Sequence, residues 1–247
     1  MKKTLFLIPL VLVLVSCKKK SDDPLKYELN LSNTYTAILE DGSTAKKVSV
    51  PKKYNGKEVT ELSGFRNNSY IESVTFTSNI TKIDAGTFTF CEHLKKISVS
   101  NSDTFKTIDG NLYNDKSLLV YASGKTDETF ETDYNISSRA FTCAPNLKKI
   151  KCNGNIVEDN AFMFLESIEE IYISSRTNTI SDNFIYGIMP KRLVVNNKTI
   201  LDTLTVKDIK EVYVIKNGIV SEDFLSKYKY VEDKTIDKDT YLYYEVK

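Results

Sequence analysis

A recurring spacing of apolar residues constrains the fold of this 247-residue chain more than any other feature of its sequence. In each copy an aromatic residue is followed six positions later by an aliphatic residue, and further apolar residues lie three and five positions beyond that one. Four copies of one spacing indicate an internal repeat. The copies are Phe65-Ile71-Val74-Phe76, Phe88-Leu94-Ile97-Val99, Phe141-Leu147-Ile150-Cys152 and Phe162-Ile168-Ile171-Ile173.

The distances between copies give the size of the repeating unit. The aliphatic position recurs at Ile71, Leu94, Leu147 and Ile168, in steps of 23, 53 and 21 residues. The long middle step indicates an insertion, which we place at about residues 104–133. Two weaker copies follow, each lacking one position: Phe184-Leu193-Val195 and Ile209-Val212-Val214.

The last two apolar positions of each copy alternate with other residues, which is the period of a short strand with one buried face. A single strand and its returning arc, about 20 to 25 residues, cannot bury these side chains alone, so neighbouring units must stack and share one continuous core. The sequence therefore predicts a mainly β solenoid over residues 46–225, with irregular or short helical arcs and one ladder of strands.

Three stretches of the sequence resemble the BspA-like branch of the leucine-rich repeats. The signature of that family's convex side is matched by Phe88-Cys91-Leu94. Its opening segment, in which a strand ends in proline and a Gly-Lys turn precedes the next strand, is matched by Val48–Leu62 (VSVPKKYNGKEVTEL). Its hairpin insertion is matched by Ile108–Lys125 (IDGNLYNDKSLLVYASGK). The resemblance implies a leucine-rich repeat solenoid, and relatives of this kind suggest adhesion.

The ends of a solenoid expose core and unpaired strand edges, so we expect each end to be covered. Residues 27–45 are predicted to form an N-terminal cap, either a hairpin or short strands, with Asp41-Gly42 as a turn signal. Residues 226–247 are rich in tyrosine and β-branched residues and predict one or two capping strands.

The N-terminus has the layout of a secretory signal, because two lysines precede an apolar run over residues 5–15. The run is 11 residues long, whereas a membrane-spanning helix needs about 20. Leu14–Cys17 (LVSC) resembles the lipobox of bacterial lipoproteins. The resemblance implies that residues 1–16 are removed as a signal peptide and that Cys17 is lipidated; a plain signal peptide with an unmodified cysteine is the alternative.

Residues 17–26 (CKKKSDDPLK) are polar and offer almost nothing to bury, so we predict a flexible tether. Within it, Ser21-Asp22-Asp23 resembles the acidic export signal of surface-displayed lipoproteins. Together with the lipobox, this implies an exported protein whose membrane partner is reached through the lipid on Cys17, at the outer membrane and on the cell surface. A spacer that faces the periplasm is the alternative.

The residue types of common catalytic and metal sites are scarce. There is one histidine, His93, and no Gly-rich phosphate-binding motif, whereas zinc sites need several His or Cys ligands and nucleophilic catalysis needs a base beside Ser or Cys. Of Cys91, Cys143 and Cys152, two match or neighbour apolar repeat positions, and Cys143 lies one place before the position that Cys91 occupies in its copy. We expect buried thiols, with metal ligands or a disulfide as the alternative. The net charge of +1 gives no sign of a nucleic-acid partner. We therefore expect no enzyme activity, metal site, cofactor or nucleic-acid partner.

Side chains that point away from the core of a solenoid recur at the same height in every turn and form columns along the ladder. The spacing predicts two such columns. The first holds Ser73, Lys96, Lys149, Glu170, Arg192 and Glu211, and the second holds Thr75, Ser98, Lys151, Tyr172, Val194 and Tyr213.

These columns contain the candidate ligand surface. The lysines predict a basic patch, and two tyrosines with an arginine between them predict an aromatic strip. Tyr and Arg are enriched at protein interfaces, although Lys and Tyr also occur on ordinary solvated strand faces. The candidate residues are Lys96, Lys149, Lys151, Glu170, Tyr172, Arg192 and Tyr213.

The sequence leaves three hypotheses for function. The favoured one is a lipid-anchored, non-enzymatic binding or adhesion protein whose ladder contacts a host or matrix protein. The second is a glycan-capture lipoprotein of a polysaccharide uptake system, which the absence of tryptophan disfavours because such proteins commonly present an exposed tryptophan to the sugar. The third is a periplasmic scaffold without an external ligand.

Overall fold

A computed structural model describes residues 23–197 and 209–247 of the chain. Within them the chain forms 24 short strands and one helix, arranged as a solenoid of about eight turns. The predicted signal peptide (1–16), Cys17 and most of the predicted tether (17–26) lie outside the described residues. In the described part of the chain, no helix has the length and apolar character needed to cross a membrane.

The chain up to residue 100 forms the first turns of the solenoid. Its strands are β1 (Leu25–Leu29), β2 (Tyr35–Leu39), β3 (Lys47–Ser49), β4 (Lys53–Tyr54), β5 (Lys57–Ser63), β6 (Ser73–Thr77), β7 (Lys82–Ile83) and β8 (Lys96–Ser100). Strands β3, β6 and β8 form a parallel ladder in which Val48, Val74 and Ile97 stand side by side. Strands β2, β5 and β7 form a second parallel sheet.

An antiparallel hairpin of β1 and β2 closes the N-terminal end. In the turn between these strands, the Asn30 side chain accepts hydrogen bonds from the backbone N–H groups of Ser32 and Thr34, each at 3.1 Å. Because this turn already reverses the chain, the predicted turn signal Asp41-Gly42 instead leads from β2 towards β3. Strand β1 begins at Leu25, inside the predicted tether.

The insertion is a three-stranded antiparallel unit of β9 (Lys106–Ile108), β10 (Asn111–Tyr113) and β11 (Ser117–Val120). It lies against ladder strand β8, where the Ile97 N–H donates to the carbonyl oxygen of Gly110 at 2.8 Å. A following ladder strand would occupy this position, so the insertion interrupts the ladder. The predicted single ladder therefore consists of two segments.

The remaining turns follow the insertion. Their strands are β12 (Thr129–Thr132), β13 (Asn135–Ile136), β14 (Phe141–Thr142), β15 (Lys149–Cys152), β16 (Ile156–Val157), β17 (Phe162–Met163), β18 (Glu170–Ile173), β19 (Thr179–Ile180), β20 (Ile185–Tyr186), β21 (Arg192–Val195) and β22 (Glu211–Ile215). Strands β12, β15, β18, β21 and β22 form the second ladder segment, all parallel. Two further parallel sheets, β11-β13-β16-β19 and β14-β17-β20, form the rest of each turn.

Two buried clusters form the interior of the solenoid, where the repeat predicted one continuous core, and a third, small cluster lies on the outward face of the second ladder segment. The repeat aromatics before the insertion, Phe65 and Phe88, pack in one cluster, and those after it pack in the other. Strand β10 separates them: Leu112 packs in the first cluster and Tyr113 in the second, because successive side chains of a strand point to opposite faces. Both faces of β10 are thus buried, one against each cluster.

The C-terminal end is closed by helix α1 (Glu222–Lys227) and by an antiparallel hairpin of β23 (Tyr228–Ile236) and β24 (Asp239–Val246), of which β24 pairs with β22. The sequence predicted one or two strands over residues 226–247, and most of the helix lies before them, in the part of the chain for which short helical arcs were expected. Ser221 caps the helix by accepting a hydrogen bond from the Phe224 N–H at 3.1 Å. The predicted fold class, a mainly β repeat solenoid capped at both ends, is confirmed.

Candidate functional site

The outward face of the second ladder segment is the candidate site. Strand pairing places Lys149, Glu170, Arg192 and Glu211 in one column, and Lys151, Tyr172, Val194 and Tyr213 in the next. The spacing of the repeat predicted this arrangement, because parallel strands of equal register put equivalent positions side by side.

Strand β12 adds Thr129 and Glu131 to the two columns, and sequence reasoning missed both. A signal for this strand was present in the sequence. Tyr121 precedes Phe130 by nine residues. In all four strong copies the same distance separates the repeat aromatic from the first inward-facing apolar residue of the ladder strand. Tyr121 also stacks on Phe141 with ring centroids 5.1 Å apart, so it occupies the aromatic position of its turn.

The three candidate lysines do not form one patch. Lys96 lies on β8 in the first ladder segment, and the insertion separates it from Lys149 and Lys151 on β15. Lys149 is exposed and makes no ion pair with any carboxylate of residues 23–197 or 209–247. Of the three candidate lysines, the second segment therefore holds two, both on one strand.

Arg192 joins three neighbouring strands through its guanidinium group. Its Nη1 lies 3.1 Å from Oε2 of Glu170 on β18, and its Nε lies 3.1 Å from Oε2 of Glu211 on β22. Bonds to two carboxylates fix the planar guanidinium group in one orientation. The first column therefore presents a rigid row of alternating charge.

The residues just before this column repeat the alternation. Lys148 pairs with Glu128 at 2.6 Å, and Lys191 pairs with Glu169 at 3.3 Å. A shallow depression between this row and the first column contains both signs of charge. It is lined by Lys149, Glu169, Glu170, Lys191, Arg192 and Glu211. Most charges on this part of the face are thus satisfied within the molecule.

Lys151 connects the charged and aromatic parts of the second column. Its Nζ lies 3.1 Å from the Glu131 carboxylate and 5.5 Å from the ring centroid of Tyr172, which is a cation–π contact. Hydrogen bonds from Asn153 and Lys151 lower the pKa of Glu131. The hydrogen bond to Glu131 in turn raises the pKa of Lys151. Lys151 therefore stays charged, and it is held over the tyrosine ring.

The predicted aromatic strip is largely covered by the C-terminal hairpin. Tyr213 is only 7% exposed, because Tyr243 of β24 stacks on it with ring centroids 4.7 Å apart. Tyr241 of the same strand is 1% exposed, and its hydroxyl lies 3.4 Å from that of Tyr172. Val194, between the two tyrosines of the column, is buried in a small cluster with Tyr213, Tyr241 and Tyr243.

The tip of this hairpin is fastened to the ladder by polar contacts. Nδ2 of Asn196 donates both to the Tyr172 hydroxyl at 2.9 Å and to Asp239 at 3.0 Å. Sequence reasoning placed Tyr213 on an open strip because the fold-back of the hairpin is not visible in the repeat spacing. Tyr172 stays half-buried at the border of the covered area.

The thiols divide into two kinds. Burial raises the pKa values of Cys91 and Cys152 to about 12, so both are unreactive at neutral pH. Cys143 is half-buried, with a φ of 50°, and it shares this left-handed conformation with Phe90 and Phe164 at the equivalent position of other turns. The buried position that follows is occupied by Ala144, which explains why Cys143 departs from the repeat.

His93 is exposed on the surface, and its Nδ1 lies 3.8 Å from Oε1 of Glu92. In the parts of the chain that the structure describes, His, Cys, Asp and Glu side chains form no group with the geometry of a metal site.

Comparisons with known proteins agree with this architecture. Residues 40–134 and 128–204 match the model of the BspA type leucine-rich repeat region in six copies. A leucine-rich repeat protein from Eubacterium ventriosum has a similar structure, with 16% sequence identity, 71% of each chain covered and a TM-score of 0.50. A leucine-rich repeat protein from T. pallidum is 12% identical over 78% of this chain and 92% of its own, with a TM-score of 0.40.

A leucine-rich cell surface protein from Faecalibacterium prausnitzii is 14% identical over 70% of this chain and 87% of its own, with a TM-score of 0.31. None of the curated proteins is significantly similar in sequence. The family match spans more than half of the chain and coincides with the turns that carry the ladder. The chain therefore belongs to the BspA-type leucine-rich repeat family.

Proposed function

We propose that this chain is a non-enzymatic, lipid-anchored binding protein of the cell surface, which contacts a protein partner through the outward face of its second ladder segment. The observation that carries the proposal is the exposed, unpaired Lys149 beside Lys151 and Tyr172 on a rigid parallel ladder. A preformed surface loses little conformational entropy on binding. The resemblance to BspA-like adhesion proteins supports the same function.

The proposed contact surface is smaller than the one that the sequence suggested. It consists of Lys149, Lys151, Glu170, Tyr172 and Arg192. Lys96 lies on the other ladder segment, and Tyr213 lies beneath the C-terminal hairpin, so a partner on the second segment reaches neither of them. Lys149 is expected to contribute most, because its charge is not already neutralised by a neighbour.

Binding to immobilised matrix proteins, measured with the chain from residue 18 onwards, tests the contact surface. We expect Lys149→Glu and Tyr172→Ala each to weaken binding, and Lys116→Glu to leave it unchanged. Lys116 is a matched control, since it is an exposed lysine in the turn between β10 and β11, away from the ladder. Unchanged affinity in both ladder variants would remove the ladder from the proposal, and binding to a glycan array alone would favour glycan capture.

The anchor and the location need a separate test in cells. We expect a labelled fatty acid to be incorporated into the natural chain and not into a Cys17→Ser variant. Protease added to intact cells should then degrade the natural chain. Full survival of the chain under protease, with the lipid present, would indicate a periplasmic scaffold instead.

A further inference from the structure

Apolar side chains lie exposed at the N-terminal end of the solenoid. On β1, Tyr27 and Leu29 continue the strand face whose first residue, Leu25, is buried. Leu29 is 55% exposed, and Leu31 in the following turn is fully exposed. With two tyrosines on β2 and β4, these residues form what we call the N-terminal patch: Tyr27, Leu29, Leu31, Tyr35 and Tyr54.

Ring contacts join the three tyrosines of the N-terminal patch. Tyr54 stacks on Tyr27 with ring centroids 3.9 Å apart and meets Tyr35 edge-on at 5.1 Å. Tyr35 is paired with Leu29 across the hairpin. Since Tyr54 is itself exposed, the outer side of this cluster presents apolar surface and tyrosine hydroxyls to the solvent.

Lysines without a neutralising partner adjoin the patch on the β4–β5 hairpin. Lys52, Lys53 and Lys57 make no ion pair with a carboxylate in residues 23–197 or 209–247, and the Lys57 ammonium donates instead to the side-chain amide oxygen of Asn33. This contrasts with the second ladder segment, where most lysines are paired across strands.

Carboxylates also lie at this end of the molecule, among them Glu61, which accepts a hydrogen bond from Nδ2 of Asn30 at 3.3 Å and pairs with Lys82 at 3.3 Å. Glu28 pairs with Lys26 at 3.4 Å. Asp23 accepts a hydrogen bond from the Tyr27 hydroxyl at 3.1 Å. Glu58 stands opposite Lys53 in the β4–β5 register. On the β4–β5 hairpin the three unpaired lysines exceed the one carboxylate, Glu58, so this border of the patch is basic, whereas Glu40 and Asp41 lie beyond the other end of β2.

The chain itself limits where this end of the molecule can be. Cys17 precedes Leu25 by eight residues, and a fully extended chain of that length reaches about 28 Å at most. If Cys17 carries a lipid, as the proposed function requires, Leu25 lies within that distance of the bilayer, and the N-terminal patch begins two residues further along β1. Among residues 23–197 and 209–247, strand β1 is also the outermost strand of its sheet.

We propose that the N-terminal patch rests on the surface of the anchoring bilayer, with its leucines and tyrosines among the headgroups and its lysines against anionic phosphates. Tyrosine favours the membrane–water interface because its ring is apolar and its hydroxyl is polar. A patch of this size gives shallow, reversible binding, which a lipid anchor strengthens because the second contact becomes intramolecular. The solenoid then stands on its N-terminal end, and the proposed contact surface, which faces across the stacking direction of the strands, points sideways, parallel to the bilayer plane.

Vesicle binding of the chain from residue 18 onwards tests the patch without any lipid anchor. The probes are vesicles of phosphatidylethanolamine with phosphatidylglycerol, and vesicles of phosphatidylcholine alone. We expect binding to the anionic vesicles, and we expect Leu29→Asp with Leu31→Asp to weaken it by roughly tenfold or more, because two apolar contacts are replaced by like charges near phosphate. Lys52→Glu with Lys53→Glu should weaken binding to anionic vesicles and leave phosphatidylcholine binding unchanged.

The matched control is Ile219→Asp with Leu225→Asp, which replaces two exposed apolar residues at the opposite end of the molecule; its binding should equal that of the natural chain. Leu31 has no packing to lose, so Leu31→Asp alone serves if the double variant does not fold. No vesicle binding by the natural chain, or equal binding by the Leu31→Asp variant, would overturn the proposal. A dimer that Leu31→Asp dissociates would also overturn it, in favour of self-association.

Fatty acid labelling separates this proposal from the proposed function. Vesicle binding that depends on Leu31, in a chain whose Cys17 takes up no lipid in cells, would support the patch and reject the anchor. A lipidated Cys17 combined with vesicle binding that ignores Leu31 would reject the patch and support the anchor.

Discussion

The two halves of the solenoid obey the same repeat and differ on their outward faces. Before the insertion, the columns hold small hydroxyl side chains such as Ser73, Thr75 and Ser98. After it, the same positions hold paired charges and tyrosines, which the C-terminal hairpin partly covers. The repeat dictates the inward positions, because stacking requires them, whereas the outward positions are free to differ between halves.

The largest expected effect comes from the middle of an aromatic stack in the second half. Phe141 is buried and contacts the rings of Tyr121 and Phe162 at 5.1 and 5.2 Å. We expect Phe141→Ala to lower the free energy of unfolding by about 3 to 5 kcal/mol, as truncation of a buried phenylalanine generally does. Urea denaturation measures this change.

Hydrogen exchange of the same variant tests whether the halves are separate. Because the insertion divides the core, amides of residues 135–197 should exchange faster in Phe141→Ala while those of residues 47–100 change less. Phe88→Ala in the first half is the matched control and should show the reverse pattern. Equal acceleration in both halves would show that the two clusters unfold as one unit.

The second largest effect is expected at the C-terminal hairpin, which covers part of the outward face of the second half. Tyr243→Ala removes the ring that stacks on Tyr213 at 4.7 Å and opens the small cluster on the outward face. We expect a loss of about 2 to 3 kcal/mol in the free energy of unfolding, because two aromatic surfaces become exposed. Exposure of Tyr213 should also appear as faster exchange at β22. Tyr230→Ala, at an exposed position of β23, should cost far less.

The sequence predicted those features that repeat. Inward residues such as Ile150 and Ile171 and the columns beside them follow from one spacing, and strand pairing places them as expected. The two-cluster core was not predictable from that spacing, because it depends on which way the single strand β10 faces. The burial of Tyr213 was missed for a similar reason, since the fold-back of the C-terminal hairpin is a contact between distant segments and not a property of the repeat.

The third prediction concerns the boundary between the halves. Tyr121 is buried in the second cluster, directly after β11 of the insertion, and its hydroxyl has no hydrogen-bond partner among the described residues. An unpaired buried hydroxyl is unfavourable, so we expect Tyr121→Phe to raise the free energy of unfolding by about 1 kcal/mol. Thermal unfolding measures the change. Destabilisation by this substitution would mean that the hydroxyl has a partner, such as an ordered water.

The fourth prediction concerns the column of paired charges around Arg192; the same column of the first half holds lysines but no carboxylate. Arg192→Ala removes both contacts to Glu170 and Glu211, and we expect a loss of roughly 0.5 to 1 kcal/mol, since the arginine is partly exposed and its ion pairs are screened by water. The loss should shrink at high salt. Lys95→Ala, which removes one exposed ion pair to Glu72 in the first half, should have a smaller effect. A loss that does not depend on salt would indicate packing by the side-chain stem.

The smallest expected effect is a pH dependence that both halves should share. The pKa of Glu131 lies below its ordinary value of 4.5 because Asn153 and Lys151 hydrogen-bond to it, and the pKa of Glu72 is lowered by Lys46 and Lys95. A carboxyl group whose pKa is lower in the folded state contributes stability above its unfolded pKa, and that stability is lost as the pH falls through the folded value.

Glu131→Gln should therefore differ most from the natural chain near neutral pH and least in acid, as measured by urea denaturation across that range. Glu72→Gln is the matched variant of the first half and should show the same sign. A difference for Glu131→Gln that stayed constant into acid would mean that its contact to Lys151 does not depend on the charge of the carboxylate, and the bridge between β12 and β15 would then act through hydrogen bonding alone.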